Sequence, residues 1–205
     1  MAEGRRSALA AVGSPELGGP RHAVHLREAA PQRLTHLQGA GHDEARQALL
    51  AVLDSPELPA PGRSLMAAGV RLLSIGPAIY LLIENPGASL ALPAATIERG
   101  FAVGLNVTDA CTRLQIAGPE AATLLAAGTA VDLHPRSFPP GRGTATGFAR
   151  MRVILLRTGL QQFELLIGRS HALSLWQWLA EAAAEFLPSS GQLRASSRLQ
   201  QGGQP

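Results

Sequence analysis

The sequence of 205 residues contains no lysine and a single cysteine, Cys111. The absence of lysine excludes a Walker-type phosphate loop and Schiff-base chemistry, because both need a lysine amine. One cysteine excludes an intrachain disulfide and a cysteine-based metal cluster. Aromatic residues make up only 4% of the chain. A core must therefore be built mainly from leucine, alanine, valine and isoleucine.

Long apolar runs are also missing from the chain. The longest uncharged one covers residues 72–83 and is broken by Gly76-Pro77, so it is too short to span a membrane. The first 19 residues include two arginines but no apolar run of the length that a signal peptide needs. Together with the lone thiol, these features predict a cytoplasmic protein.

The net charge of +3 is concentrated near the two ends of the chain. Residues 39–186 carry 11 arginines against 12 acidic residues, so they lack the clustered basic face of a nucleic-acid-binding domain. Residues 1–38 show no sustained hydrophobic period and are predicted to be a disordered basic extension. Residues 188–205 are predicted to be a disordered tail. Residues 39–187 remain as a single domain, with enough apolar residues for a core.

Metal binding by histidines is not indicated by the sequence. Four histidines lie in or beside the N-terminal segment, at irregular spacing and without an accompanying acidic cluster: His22, His25, His36 and His42. We therefore predict no metal site there.

Helices and strands are both predicted within the domain. Apolar residues at helical spacing indicate helices over 42–55 and 171–186, the second capped by Ser170. A third helix is predicted to start at Pro119 and to end at Gly128. Short apolar runs bounded by glycine and proline indicate strands at 70–75, 78–84, 101–110, 111–118, 148–157 and 162–168. Residues 88–100 favour no single element, and a short helix near 94–99 is one alternative. The pattern is that of an α+β domain.

The stretch VDLHPRSFPPGRGTATG, residues 131–147, concentrates residue types that are typical of active sites. Asp132, His134 and Ser137 are the types of a catalytic triad, but so close along an extended chain they cannot easily align nucleophile, base and orienting group. The segment also lacks the Gly-x-Ser-x-Gly elbow. Its glycines lack the preceding strand and following helix of a dinucleotide-binding loop. Its prolines fix φ and oppose a helix, so we predict a structural corner.

The order of the segments resembles the gamma subunit family of heterotetrameric sarcosine oxidase over about residues 65–187. The resemblance is carried by Ile75-Gly76-Pro77 before Tyr80-Leu81-Leu82, by Asp132-Leu133 before Phe138-Pro139-Pro140-Gly141, and by Arg169-Ser170 at the start of the last helix. Ala78-Ile79-Tyr80 departs from the acidic pair and tryptophan that are usual in the family.

The resemblance implies an α+β fold of antiparallel sheets flanked by helices, similar to the folate-binding domain of aminomethyltransferases. It implies a non-catalytic subunit that docks on the alpha subunit and, through it, on the beta and delta subunits. The assembly would oxidise sarcosine to glycine, pass the one-carbon unit to tetrahydrofolate or release formaldehyde, and produce hydrogen peroxide. FAD, FMN, NAD and tetrahydrofolate would be held by the other subunits, and this subunit would bind no cofactor.

Partner-facing residues are predicted from the same motifs and from the last helix. Trp176 and Trp178 cannot share one helix face, so we expect Trp178 to be partly exposed and available to a partner. The other interface candidates are Asp132, Arg136, Phe138 and Arg169.

Two alternative functions remain open. A stand-alone folate-binding protein, similar to an aminomethyltransferase, would need a carboxylate for the pterin and a base, for which Asp109 and Asp132 are the candidates. A regulatory folate-domain protein of iron–sulfur assembly would carry a Lys-Gly-Cys motif. This chain has no lysine and no glycine beside Cys111.

Overall fold

The computed structural model of the chain describes residues 6–13, 15–30, 32–39, 43–88 and 102–187. These residues form eleven strands in two antiparallel sheets. The strands are β1 Glu16–Gly18, β2 His25–Glu28, β3 Leu34–Gln38, β4 Ser64–Ala67, β5 Val70–Gly76, β6 Ile79–Glu84, β7 Val103–Asn106, β8 Cys111–Ala117, β9 Gly143–Phe148, β10 Met151–Gly159 and β11 Gln162–Gly168. The α-helices are α1 Asp43–Leu53, α2 Ala121–Ala126 and α3 Ala172–Ala183.

The two sheets differ in size and pack against each other between helices. The six-stranded sheet has the order β1-β2-β8-β11-β10-β9, and the five-stranded sheet the order β4-β5-β6-β3-β7. Alternate residues of a strand face opposite sides. On β6, Leu82 packs towards α1, whereas Leu81 and Ile83 pack against Leu156 and Leu166 of the other sheet. The layers are therefore α1, the five-stranded sheet, the six-stranded sheet, and α2 with α3.

The domain contains an internal repeat. The succession β3-α1-β4-β5-β6 recurs as β8-α2-β9-β10-β11, and both sets of strands take the same order within their sheet. Each β4-type strand is preceded by the same tripeptide, Pro61-Gly62-Arg63 in the first repeat and Pro140-Gly141-Arg142 in the second. The two tripeptides meet in an antiparallel bridge between Arg63 and Arg142. An approximate two-fold axis therefore passes between the two repeats.

Matching irregularities fix the correspondence between the repeats. The β5–β6 ladder shifts its register between Ser74 and Gly76, and the β10–β11 ladder does so between Arg157 and Gly159. The amide of Ser74 donates to the carbonyl of Arg63 at 3.0 Å, and the amide of Arg157 donates to that of Arg142 at 2.9 Å. Residues of β5 and β10, and of β6 and β11, can therefore be compared position by position.

The hairpin turns provide one such comparison. Between β4 and β5, Ala68 and Gly69 have φ values of 49° and 74°; between β9 and β10, Ala149 and Arg150 have 46° and 66°. Positive φ at both central residues is the pattern of a type I′ turn, for which glycine is favoured. We expect Arg150→Gly to raise the free energy of unfolding by about 1 kcal/mol, measured by urea titration. Arg152→Gly, in extended strand, should instead be neutral or destabilising; equal effects would contradict this account.

The predicted α+β class of antiparallel sheets with flanking helices is confirmed. Two predicted strands are shorter than expected: 148–157 begins only at Met151, because residues 149–150 form the turn, and 101–110 reduces to Val103–Asn106. Ser170 does not cap α3, since it lies in a 3₁₀ turn, Arg169–His171, ahead of the helix. Residues 94–99 and 188–205 lie outside the described residues. No helix in the described ranges is long and apolar enough to cross a membrane.

The prediction that residues 1–38 are disordered is wrong for much of this segment. It provides β1, β2 and β3, and β2 pairs with β8 while β3 lies between β6 and β7. Leu9 and Leu26 are buried in the core between the six-stranded sheet and α2 with α3, and Leu37 is buried in the core between the five-stranded sheet and α1. These strands are three to five residues long and pair with distant segments. Each is therefore too short to show a hydrophobic period from which a strand could be predicted.

Candidate functional site

The hexapeptide Asp132–Ser137 forms a local turn. The carboxylate of Asp132 accepts the amide of His134 at 2.9 Å, and Nδ1 of His134 accepts the amide of Arg136 at 3.3 Å. The Ser137 hydroxyl, followed by the His134 amide, lowers the pKa of the Asp132 carboxyl below its usual value. The Asp132 carboxylate and the His134 ring are thus both engaged by backbone amides. The geometry is that of a stabilised turn and differs from the serine–histidine–aspartate relay of a triad.

Arg157 of β10 holds this corner in place. Its side chain is 3% exposed, and Nη1 donates to the carbonyls of Leu133 at 3.0 Å and Phe138 at 2.9 Å. Nε donates to Gly159 at 3.2 Å and Nη2 to the carbonyl of Leu160. Burial lowers the pKa of Arg157 from its usual value. One arginine therefore satisfies four backbone carbonyls and holds residues 131–142 as a corner. The predicted corner of residues 131–147 is too long, because residues 143–147 belong to β9.

The five predicted interface residues take different environments. Asp132 and Arg136 are exposed. Trp178 is partly buried and packs edge-on against Phe148, with ring centroids 5.1 Å apart. Arg169 is partly buried and donates to the carbonyl of Arg6. An interface role for these four stays a prediction.

Phe138 differs from the other four. Its side chain is 2% exposed and belongs to the core beneath the six-stranded sheet. Its ring therefore cannot form a partner-facing surface while this corner is folded. The hydrophobic side chain at a proline-rich turn acts as an anchor of the loop.

A polar cluster that the sequence did not reveal lies between the two sheets. Glu164 of β11 accepts Arg113 Nη2 at 2.8 Å and Gln115 Nε2 at 3.0 Å, both from β8. Nε of Arg27 donates to the amide oxygen of Gln115 at 2.8 Å. Arg113 and Glu164 are buried, with 8% and 7% of their surface exposed. This network lines one wall of a cleft of about 410 Å³.

Arg71 of β5 reaches the same cleft from the other sheet. Its Nη1 donates to the hydroxyl of Ser64 at 3.2 Å. Burial lowers the pKa of Arg71; the negative charge of Glu164 opposes that shift and the positive charge of Arg113 adds to it. Nε of Arg113 is buried with no hydrogen-bond partner in the described part of the chain. The cleft therefore brings three arginines together with one glutamate.

The two carboxylates considered for folate chemistry lie on different segments. Asp109 lies in the exposed turn between β7 and β8. Asp132 lines a shallow groove of about 510 Å³ together with Ser137 and Arg142. Within the described ranges, no group of three or more histidine, cysteine, aspartate or glutamate side chains is arranged to hold a metal ion.

Solved structures with similar folds identify the architecture. The fold is similar to a chain of a heterotetrameric sarcosine oxidase from Corynebacterium sp. U-96, with a TM-score of 0.73 and 32% identity, covering 91% of this chain and 98% of that one. It is also similar in fold to glycine cleavage system aminomethyltransferase T from Bartonella henselae, with a TM-score of 0.56 and 20% identity over 78% of this chain and 46% of that one. The expected likeness to the aminomethyltransferase fold is confirmed.

Sequence comparisons agree with the structural ones. The chain is 34% identical over 181 residues to the sarcosine oxidase subunit gamma of Corynebacterium sp. (strain U-96), covering 86% of this chain and 87% of that protein. The family model described as sarcosine oxidase, gamma subunit family, matches residues 39–185. The chain therefore belongs to the sarcosine oxidase gamma subunit family.

Proposed function

We propose that this chain is the non-catalytic gamma subunit of a heterotetrameric sarcosine oxidase. The observation that carries the proposal is the match to 98% of a chain from a solved tetramer of that name. A match over nearly the whole length of a subunit favours the same position in an assembly. If the two chains shared only one domain, the match would cover a smaller part of that subunit. The chain docks on the alpha subunit and, through it, joins the beta and delta subunits.

The proposed assembly works in the cytoplasm on sarcosine. It removes the N-methyl group oxidatively to leave glycine, transfers the one-carbon unit to tetrahydrofolate or releases it as formaldehyde, and produces hydrogen peroxide. FAD, FMN, NAD and tetrahydrofolate bind to the other subunits. The Asp132–Ser137 turn favours a non-catalytic role for this chain, because the Asp132 carboxylate and the His134 ring accept backbone amides.

Co-purification tests the assembly directly. A tagged chain drawn mildly from its native host should bring larger chains with it, and the complex should be yellow, with the absorbance bands of flavin. Mass identification of those chains would establish the partners. A colourless, stable monomer with no affinity for flavin-bearing chains would overturn the proposal.

Substitution of Ser137 tests whether the chain is non-catalytic. In the assembled complex, Ser137→Ala should leave turnover of sarcosine unchanged, because the hydroxyl only braces the Asp132 turn. A triad member would lose activity by about 10⁴-fold or more. Thr146→Ala, whose hydroxyl on β9 bonds a neighbouring carbonyl and lies outside the groove lined by Asp132 and Ser137, serves as the matched control. A large loss for Ser137→Ala alone would contradict the proposal.

The alternative function, a stand-alone folate-binding protein, makes a different prediction. It needs Asp109 or Asp132 to grip a pterin, and titration calorimetry of the purified chain with tetrahydrofolate would detect this. Binding tighter than roughly 100 μM, about −5.5 kcal/mol, would favour the alternative. Unchanged heats in the Asp132→Asn variant would then show that this carboxylate is not the one used.

A further inference from the structure

The approximate two-fold axis allows each residue of the polar cleft to be compared with its counterpart in the other repeat. Arg71 pairs across the ladder with Ile83, and its counterpart Ile154 pairs with Leu166. Continuing the same rows, Ile83 pairs with Leu34, whereas Leu166 pairs with Arg113. Arg71 thus corresponds to Ile154, and Arg113 to Leu34.

The next row shows the same contrast. Leu73 pairs with Leu81 in the five-stranded sheet, and their counterparts Leu156 and Glu164 pair in the six-stranded sheet. Glu164 therefore corresponds to Leu81. One end of the layer between the sheets carries Arg71, Arg113 and Glu164, and the equivalent end carries the apolar side chains Ile154, Leu34 and Leu81.

Packing does not account for the polar end. At the apolar end, Leu34 and Leu81 are buried in the cluster that joins the two sheets, with Ile154 packed against it. Apolar residues thus suffice to hold the sheets together at that position. Replacing a buried ion pair by apolar residues of similar volume is often neutral or stabilising. A charged cluster kept at one end only therefore has a role other than cohesion.

The charges of the cleft indicate the chemistry of that role. Both carboxylate oxygens of Glu164 are engaged, one by Arg113 Nη2 and the other by Gln115. The Arg71 guanidinium bonds only a hydroxyl in the described part of the chain. Arg113 donates from Nη1 to Gln32 and from Nη2 to Glu164, and its buried Nε bonds nothing there. Arg27 adds a further cation at the rim. Guanidinium groups bind planar carboxylates well, because their donors form a rigid fork.

We propose that the cleft binds a small carboxylate-bearing molecule between Arg71 and Arg113, with Arg27 at its entrance. A singly charged carboxylate fits better than a phosphate dianion, because Glu164 lies in the same network and repels additional negative charge. The cleft volume of about 410 Å³ is within the range of small-molecule sites.

The test compares three variants of the full-length chain, with acetate, succinate and benzoate as probes in titration calorimetry. Arg71→Ile copies its counterpart Ile154 and should weaken binding tenfold or more. The triple variant Arg71→Ile, Arg113→Leu, Glu164→Leu copies the whole apolar end; it should fold, with a urea midpoint no lower than that of the unchanged chain, and bind none of the probes. Arg152→Gln, an exposed arginine on β10 outside the cleft, should bind normally.

Several outcomes would overturn the proposal. No heat from any carboxylate up to tens of millimolar would do so, as would a triple variant that still binds. Tighter binding of inorganic phosphate than of the carboxylates would replace the ligand class. Repeating the titration on the purified complex separates two sources of the carboxylate. If assembly with partner chains abolishes binding, a partner's acidic side chain occupies the cleft and the small-molecule assignment is wrong.

Discussion

Replacing Arg157 with methionine is expected to lower the free energy of unfolding by about 3 kcal/mol. The guanidinium donates to four backbone carbonyls, and two of them, those of Leu133 and Phe138, fasten the corner above the core. Methionine is unbranched and fills much of the same volume, but it leaves those carbonyls without donors. The loss should appear as a lower midpoint in urea unfolding followed by fluorescence or circular dichroism.

Two further variants make the Arg157 experiment specific. Arg157→Lys keeps the charge, but an ammonium cannot reproduce the planar fork, so its stability should fall between those of the unchanged chain and Arg157→Met. Arg152→Met alters an exposed arginine of the same strand and should change stability by less than about 0.5 kcal/mol. If Arg157→Met and Arg152→Met unfolded at the same urea concentration, the carbonyl network would not be what holds the corner.

Removing the carboxylate of Glu164 should have an equal or larger effect. Glu164→Ala leaves the buried guanidinium of Arg113 without its ionic partner, and breaking a buried pair in this way costs about 3 to 5 kcal/mol. Arg113 Nη2 is 2.8 Å from the Glu164 carboxylate, and each side chain is less than a tenth exposed, so solvent offers little compensation. Urea unfolding of the full-length chain measures the loss.

A double-mutant cycle separates the ion pair from simple packing. Combining Glu164→Leu with Arg113→Leu removes both charges and copies the apolar counterparts, so the double variant should recover most of the stability that either single change, Glu164→Leu or Arg113→Leu, loses. If the two single changes simply added, the pair would not interact and the account of the cluster would fail. The comparison does not depend on any ligand, so it tests the architecture of the cleft independently of its occupancy.

Local patterns in the sequence predict the elements that form between neighbouring segments. The hairpin of β10 and β11 and the helices α1 and α3 have continuous apolar periods. Such a period can be recognised within the segment itself, without knowledge of its partners. The strands β1, β2 and β3 have no such signal, because their partners lie far along the chain and supply the burial. The placement of β2 and β3 in different sheets could therefore not be read from residues 1–38.

The site residues were missed for a related reason. Arg113, Arg157 and Glu164 each lie inside an apolar strand, and a charge in such a place must be paired or hydrogen-bonded when buried. That signal is visible in the sequence, but the partners of each charge come from other segments. The repeated Pro-Gly-Arg, and the pattern Leu-Leu-x-x-Gly that occurs at residues 72–76 and again at 155–159, would have revealed the duplication and, with it, the asymmetric cleft.

The crossing of β2 into the sheet of the second repeat bears on how the chain folds as it is made. β2 precedes the first repeat, yet its ladder partner β8 begins only at Cys111. At translation rates of roughly 5–20 residues per second, several seconds pass between the synthesis of β2 and that of β8. Leu26 stays exposed to solvent or to a chaperone during this interval. The five-stranded sheet needs no strand beyond Asn106, whereas the six-stranded sheet cannot form before β8 to β11 are made, so that part of the domain gains its stability late.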